Sequence, residues 1–161
     1  MAADIHIKID DIPGESNHKG HAGEIEVASF SWGMSQPAGF NLGSGGGTGK
    51  VSLSDLTFMH HVDKSSPNLM KYCCNGKHIK SAVLTAKKAG GAHVPYIKIT
   101  LSDIIVSSVN QSASEGGGVA MESISLAFSK FKIDYQEQGQ DGAAKGGPIS
   151  ADWDIKTNAA A

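Results

Sequence analysis

The chain has 161 residues, a formal net charge of −2 and no arginine. That length suits one domain, residues 1–161, burying about two-thirds of its unfolded surface. The charge gives no electrostatic case for binding nucleic acid or an anionic membrane, and the missing arginine removes the side chain best shaped for phosphates and bases.

The opening MAADIHIKIDD has no basic region and no apolar run, so it does not read as a secretory signal. No window approaches the roughly 20 apolar residues of a membrane span. Twenty glycines and 19% charged residues favour an all-β chain with many turns over a helical bundle. Ile5, Ile7 and Ile9 alternate with His6 and Lys8 as a half-buried strand. A turn-rich stretch from Pro13-Gly14 to Gly23 follows. In EIEVASFSWGM the apolar phase changes: Ile25 and Val27 share one face, Ala28, Phe30, Trp32 and Met34 the other. A slip of one residue turns every side chain over, so a bulge or bend near Val27-Ala28 is expected. Val51 and Leu53, then Leu56 and Phe58, show the same slip.

Between those runs lies NLGSGGGTGK, Asn41 to Lys50. A phosphate-cradling loop needs Gly, four residues, Gly, Lys and then Ser or Thr, entered from a strand and opening a helix. Ser44 stands where the first glycine belongs, Val51 follows Lys50, and VSLSDLTF alternates like a strand. The helix N-terminus that would supply donors is missing, which leaves a flexible connection between strands.

Ser66-Pro67 offers an N-cap and a proline at the first helical position, with Leu69 and Cys73 on one face and Gly76 as the stop. A helix of about two turns needs a sheet to pack on. Ser81–Lys87 and Tyr96–Leu101 read as strands about the turn Ala89–His93, and Ile104–Val109 resumes the second after a phase change at Asp103. The polar turn Asn110–Gly118 leads into the longest strand, Met121–Tyr135, with a slip at Ser129-Lys130. A last strand is read over Ser150–Lys156, with a tail that frays. One helix cannot supply parallel crossovers, and repeated mid-strand bends turn the corners of a closed sheet. The fold expected is a mostly antiparallel β-barrel or sandwich of eight or nine strands, ordered over about 4–157, with one short helix on its side.

No catalytic constellation rises from the residues. Ser54, Asp55, His60, His61 and Asp63 contain the types a hydrolase triad uses, without a nucleophile elbow. His18 and His21 are spaced H-x-x-H beside Glu24, but no third and fourth metal ligands can be named. The adjacent Cys73 and Cys74 do not form a disulfide framework, which fits folding in a reducing cytosol. Cys73 lies on the apolar stripe of the helix, away from the terminus that would stabilise a thiolate. Asp10-Asp11 and Asp152/Asp154 read as solvated charges. Asn110-Gln-Ser matches a glycosylation acceptor that has no meaning without a signal. No cofactor and no metal are expected.

Read together, HAGEIEVASFSWGMSQ, GGGTGKVSLSDLTF, DKSSPNLMKYCCNGKHI, KAGG and DYQEQ…DGAAKGGPISADWDIKTN resemble the haemolysin-coregulated protein family, Hcp, of the bacterial type VI secretion system. The resemblance runs in order from Ile5 to Asn158, and no departure breaks the pattern. It implies an antiparallel barrel with one helix on its side. It further implies a structural protein without catalysis, six copies forming a ring, and rings stacking into a tube driven out by a contractile sheath. Such a tube carries effectors in its lumen and meets spike and sheath proteins. It waits in the bacterial cytoplasm and leaves for the medium or a target cell without a cleaved signal. By the same resemblance the loop Gly43, Ser44, Gly45, Gly46, Gly47, Thr48, Gly49 and Lys50 reaches a neighbouring subunit, with glycine giving it freedom to settle. Ser31, between Phe30 and Trp32, becomes the lumen-facing candidate, and Ser114, Glu115 and Gly116 the ring-stacking candidates. The chain leaves no room for an added effector domain. Two rivals stay open: a small ligand-binding β-barrel, and a hydrolase using His60, His61 and Asp63.

Overall fold

The computed structural model describes residues 3–40, 47–89 and 94–161. Its elements in order are β1 (Ala3–Ile9), β2 (Ile25–Val27), β3 (Ser29–Ser31), β4 (Met34–Ser35), β5 (Ala38–Gly39), β6 (Gly47–Thr48), β7 (Ser52–Leu53), β8 (Leu56–His61), α1 (Ser66–Asn75), β9 (Ile79–Lys88), β10 (Ile97–Ser112), β11 (Met121–Tyr135) and β12 (Ile149–Asp154). Eight strands make one antiparallel sheet in the order β2-β1-β9-β10-β11-β8-β3, with β12 added to β11.

The slip at Val27-Ala28 closes this sheet. β2 ends paired with β1 at one extreme of the order, and β3 begins paired with β8 at the other, with Ala28 alone between them. The chain therefore changes partners where its apolar phase changes, and the sheet curls into a nearly closed barrel. Ile7, Ile25, Leu56, Phe58, Leu84, Ile99, Leu101, Ile104, Ile124 and Leu126 fill its interior, each no more than 1% exposed.

The other slips have local causes. Asp103 takes a left-handed conformation, φ 54°, between the buried Leu101 and Ile104. Ser102 pairs with Lys130 and Ile104 with Phe128, so the irregularity in β10 faces the slip at Ser129 in β11. One strand, β10, runs through both Tyr96–Leu101, from Ile97 on, and its expected continuation Ile104–Val109. β11 also forks there: residues 121–126 pair with β8 and residues 130–135 with β12.

Helix α1 packs against β10 and buries Leu69 and Tyr72. Its N-cap is Ser65, not Ser66, and the cap has no side-chain hydrogen bond. Asp63 organises this end instead. Its carboxylate accepts from the amide and hydroxyl of Ser65, and its own amide donates to Ser66 Oγ at 3.1 Å. Gly76, at φ 64°, ends the helix by donating to the Tyr72 carbonyl at 3.0 Å.

The last strand stops at Asp154, two residues short of the expected Lys156, and the residues after it turn back along the strand. The Asp154 carboxylate accepts from the amides of Lys156 and Thr157 at 2.9 and 3.2 Å. That turn brings Ala159 back to pair with Asp154, and the amide of Ala161 donates to Asp152 at 3.0 Å.

Candidate functional site

The segment from Met34 to Leu53 leaves the barrel as a two-stranded arm. Met34 and Ser35 pair with Leu53 and Ser52, and farther out Ala38 and Gly39 pair with Thr48 and Gly47. No ladder among the described residues joins the arm to the eight-stranded sheet. Gly43, Ser44, Gly45 and Gly46 lie outside the described residues. Gly47 and Thr48, expected within a flexible loop, instead form β6, because antiparallel pairing satisfies their backbone groups. Gly49 donates to the Pro37 carbonyl at 3.3 Å, and Lys50 is exposed. On the outgoing limb Phe40 is 86% exposed, the most exposed large apolar side chain among the described residues. At the root Ser54 locks the bend, accepting from the Gly33 amide at 2.8 Å and donating to its carbonyl at 3.1 Å. A shallow apolar groove there runs between Met34 and Leu53 of the arm and Phe131 and Trp153 of the barrel.

Ser31 is exposed on β3, opposite Thr57 of β8, which is opposite Ser125 of β11. Thr57 and Ser125 hydrogen-bond through their hydroxyls at 2.9 Å, and Ser125 faces Ser108 of β10. Directly paired residues project from the same side of a sheet. Ser31, Thr57, Ser125 and Ser108 thus form a row of uncharged hydroxyls on the face away from Leu56, Phe58 and Leu126. The next row, Ser29, Met59, Ser123 and Asn110, is uncharged as well. The sequence held this pattern in the serines between the apolar residues of Met121–Tyr135, but alignment across four strands needed the register.

Ser114, Glu115 and Gly116 lie in the exposed connection from β10 to β11, where Gly117 donates to the Ser114 carbonyl at 3.0 Å and Gly116 adopts φ 78°.

The triad residues do not come together. The Ser54 hydroxyl is held by Gly33, and the Asp55 carboxylate accepts from Ser107 at 2.6 Å. His61 is exposed, whereas His60 is buried with its Nε2 2.8 Å from Glu122 Oε1. Asp63 stands 4.0 Å from His60 Nδ1 while capping the helix turn. The Glu122 carboxylate also accepts from Gln111 at 2.7 Å. This buried pair escaped sequence reading, although Glu122 shares the phase of Ile124 and Leu126, and His60 that of Leu56 and Phe58.

The H-x-x-H stretch acquires a partner from β1. His6, expected on a solvated face, is 3% exposed. Its ring stacks on His21 at 4.5 Å with 1° between the planes, and His18 lies 5.1 Å away. Burial lowers the His6 pKa from 6.5, and the neighbouring His21 and His18 lower it further. The His6 and His21 rings meet by their faces, and His18 is tilted by 54° to both. Among the described residues no three His, Cys, Asp or Glu groups are placed to hold a metal ion.

No helix of the described residues is long and apolar enough to cross a membrane. Residues 6–135 match the family model described as "Type VI secretion system effector, Hcp". The protein hcp1 of Pseudomonas aeruginosa is 48% identical over 159 residues, 98% of each chain. Among solved structures, Hcp1 from Salmonella typhimurium is 41% identical, covers all of both chains and superposes with a TM-score of 0.83. A structure described as a type six secretion system protein is 29% identical, covers 98% of this chain and 99% of its own, and reaches 0.92. The barrel that closes at Ala28, its side helix and these likenesses agree: the chain belongs to the Hcp family of type VI secretion proteins.

Proposed function

We propose that this chain is a structural tube protein, one domain that acts without catalysis by assembling six to a ring, the rings stacking into an expelled tube. The observation that carries this reading is the arm of β4 to β7, which among the described residues forms no ladder with the eight-stranded sheet and leaves Phe40 86% exposed. A large aromatic in water gains free energy when a partner surface covers it. Gly43, Ser44, Gly45 and Gly46, together with Gly47, Thr48, Gly49 and Lys50, are assigned to the same subunit contact. A head-to-tail contact closes into a ring in one plane and stays open along an axis, as a tube requires.

The hydroxyl face around Ser31 is proposed as the lumen wall. Uncharged hydroxyls hold no client tightly, which suits a channel that carries effectors and releases them. Ser114, Glu115 and Gly116 are proposed to meet the next ring. Spike, sheath and effectors are the further partners. The protein is held in the bacterial cytoplasm until firing and then leaves without a cleaved signal.

Native mass spectrometry followed by negative-stain microscopy tests this. The expected species has about 100 kDa, six times the 16.7 kDa chain, and appears as an annulus with an open centre. Phe40→Ser is expected to shift the population toward monomer without lowering the chain's own melting temperature. A wild-type protein that stays near 16.7 kDa at high concentration overturns the reading.

A further inference from the structure

The connection Pro13–Glu24 is built as a cover. The Gly14 amide donates to the Gly23 carbonyl at 2.8 Å, Gly23 to Ser16 at 2.8 Å, and Ser16 to Glu24 at 3.0 Å, folding the segment back on itself. Near its start it is stapled to the turn before α1, where the Lys64 amide donates to Glu15 Oε1 at 2.9 Å. Beneath the cover lies His6, on the side of β1 opposite the core residues Ile7 and Ile9. His6 Nδ1 is buried without a hydrogen-bond partner.

We propose that His6, His18 and His21 form an acid-released latch that holds the Pro13–Glu24 segment on the outer face of β1 at neutral pH and frees it when His6 protonates. The geometry selects the neutral state. Two imidazoles stacked face to face at 4.5 Å accommodate one charge at most without direct repulsion. A protonated His6 would also bury an N–H with no acceptor. Asp4 and Lys8 share β1 with His6, Glu26 faces it from β2, and Thr85, two residues before Lys87, faces it from β9. From the cover come His18, 3.6 Å from Asp4, and His21, 3.0 Å from Glu24. Glu24 and Asp4 favour a proton on His6, but burial and the two neighbouring rings outweigh them.

The sign follows from linkage. A histidine whose pKa is lowered in the closed state stabilises that state fully above its free value of 6.5, and the contribution falls as the pH drops below that value. Opening therefore grows on acidification, by at most about tenfold per pH unit for one proton. The latch belongs to a single chain and does not depend on ring assembly, so its failure and that of the tube reading are separable.

The test is amide hydrogen exchange of residues 14–24 in the purified protein at about pH 7.5 and about pH 5, corrected for intrinsic exchange. Wild type is expected to lose protection in this segment by at least about threefold at the lower pH, while β10 and β11 keep theirs. His6→Gln, which cannot titrate, is expected to show the same protection at both. Equal wild-type protection at the two pH values overturns the latch, as does an acid response in His6→Gln matching wild type. If His6→Gln does not fold, the imidazole shift of wild-type His6 decides. It must titrate together with the loss of protection, and protection lost without a change in that shift overturns the proposal.

Discussion

The amide of Ala28 donates to the carbonyl of Met59 at 2.7 Å, and that bond sits on the seam where the sheet closes. Ala28 belongs to neither β2 nor β3, yet it ties their joint to β8. Proline here removes the donor and restricts Val27 before it. Ala28→Pro is expected to cost roughly 1–3 kcal/mol in chemical denaturation, while Ala28→Ser changes stability by less than about 0.5 kcal/mol. Equal stability of the two variants would show that the seam does not depend on this bond.

Glu122 and His60 meet at 2.8 Å with neither side chain exposed, and Gln111 holds the second carboxylate oxygen. Alanine at 122 orphans both donors. Glu122→Ala is expected to destabilise by about 3–5 kcal/mol and Glu122→Gln, which retains an acceptor, by about 1–3 kcal/mol. Urea midpoints of the two variants read the difference.

Asp103 receives Lys156 Nζ at 2.7 Å and His78 Nδ1 at 2.8 Å, and these hydrogen bonds hold its carboxyl well below the usual carboxylate range. A carboxyl with a depressed pKa stabilises the fold above its ordinary value, 3.8, and loses that contribution as the pH falls. Asp103→Asn keeps a residue that tolerates the left-handed backbone at φ 54°. The variant is expected to melt below wild type at neutral pH, with the gap narrowing below about pH 4 and shrinking in high salt. A gap independent of pH would assign the loss to backbone or packing.

Gly14 is pressed against the returning strand of the cover. A Cβ there would lie 2.4 Å from the Glu24 carbonyl oxygen and 2.7 Å from the Ile25 nitrogen, both backbone atoms with no rotamer to move. Gly14→Ala is expected to cost about 1–3 kcal/mol. Gly147, with open space about it, takes alanine within about 0.5 kcal/mol. Thermal melting of the pair checks the contrast.

Much of the barrel is legible in the chain. The phase slip at Val27-Ala28 marks a change of partner strand and that at Asp103 a left-handed residue opposite Ser129, because alternation of period two reports which face is buried, residue by residue, whereas the register shift between Val106 and Ser108 is marked by no slip. Pro67 and Gly76 mark the helix because each fixes a backbone angle without help from the rest of the molecule. The family likeness carried in quoted segments is shown by the comparisons.

What only the tertiary structure decided is which faces meet. His6 alternates as a solvated residue and becomes buried because a segment seven or more positions later folds over it. Asp63, named only in the rival hydrolase reading, organises the turn that opens α1. Gly47 and Thr48 read as loop and become strand because Ala38 and Gly39 lie alongside. The row from Ser31 to Ser108 exists only through the register of four strands. Local sequence determined which side of each strand is apolar, since that depends on one chain's periodicity. Burial of polar side chains, pairing of glycines and alignment of hydroxyls depend on contacts between distant segments, and those the tertiary fold alone supplies.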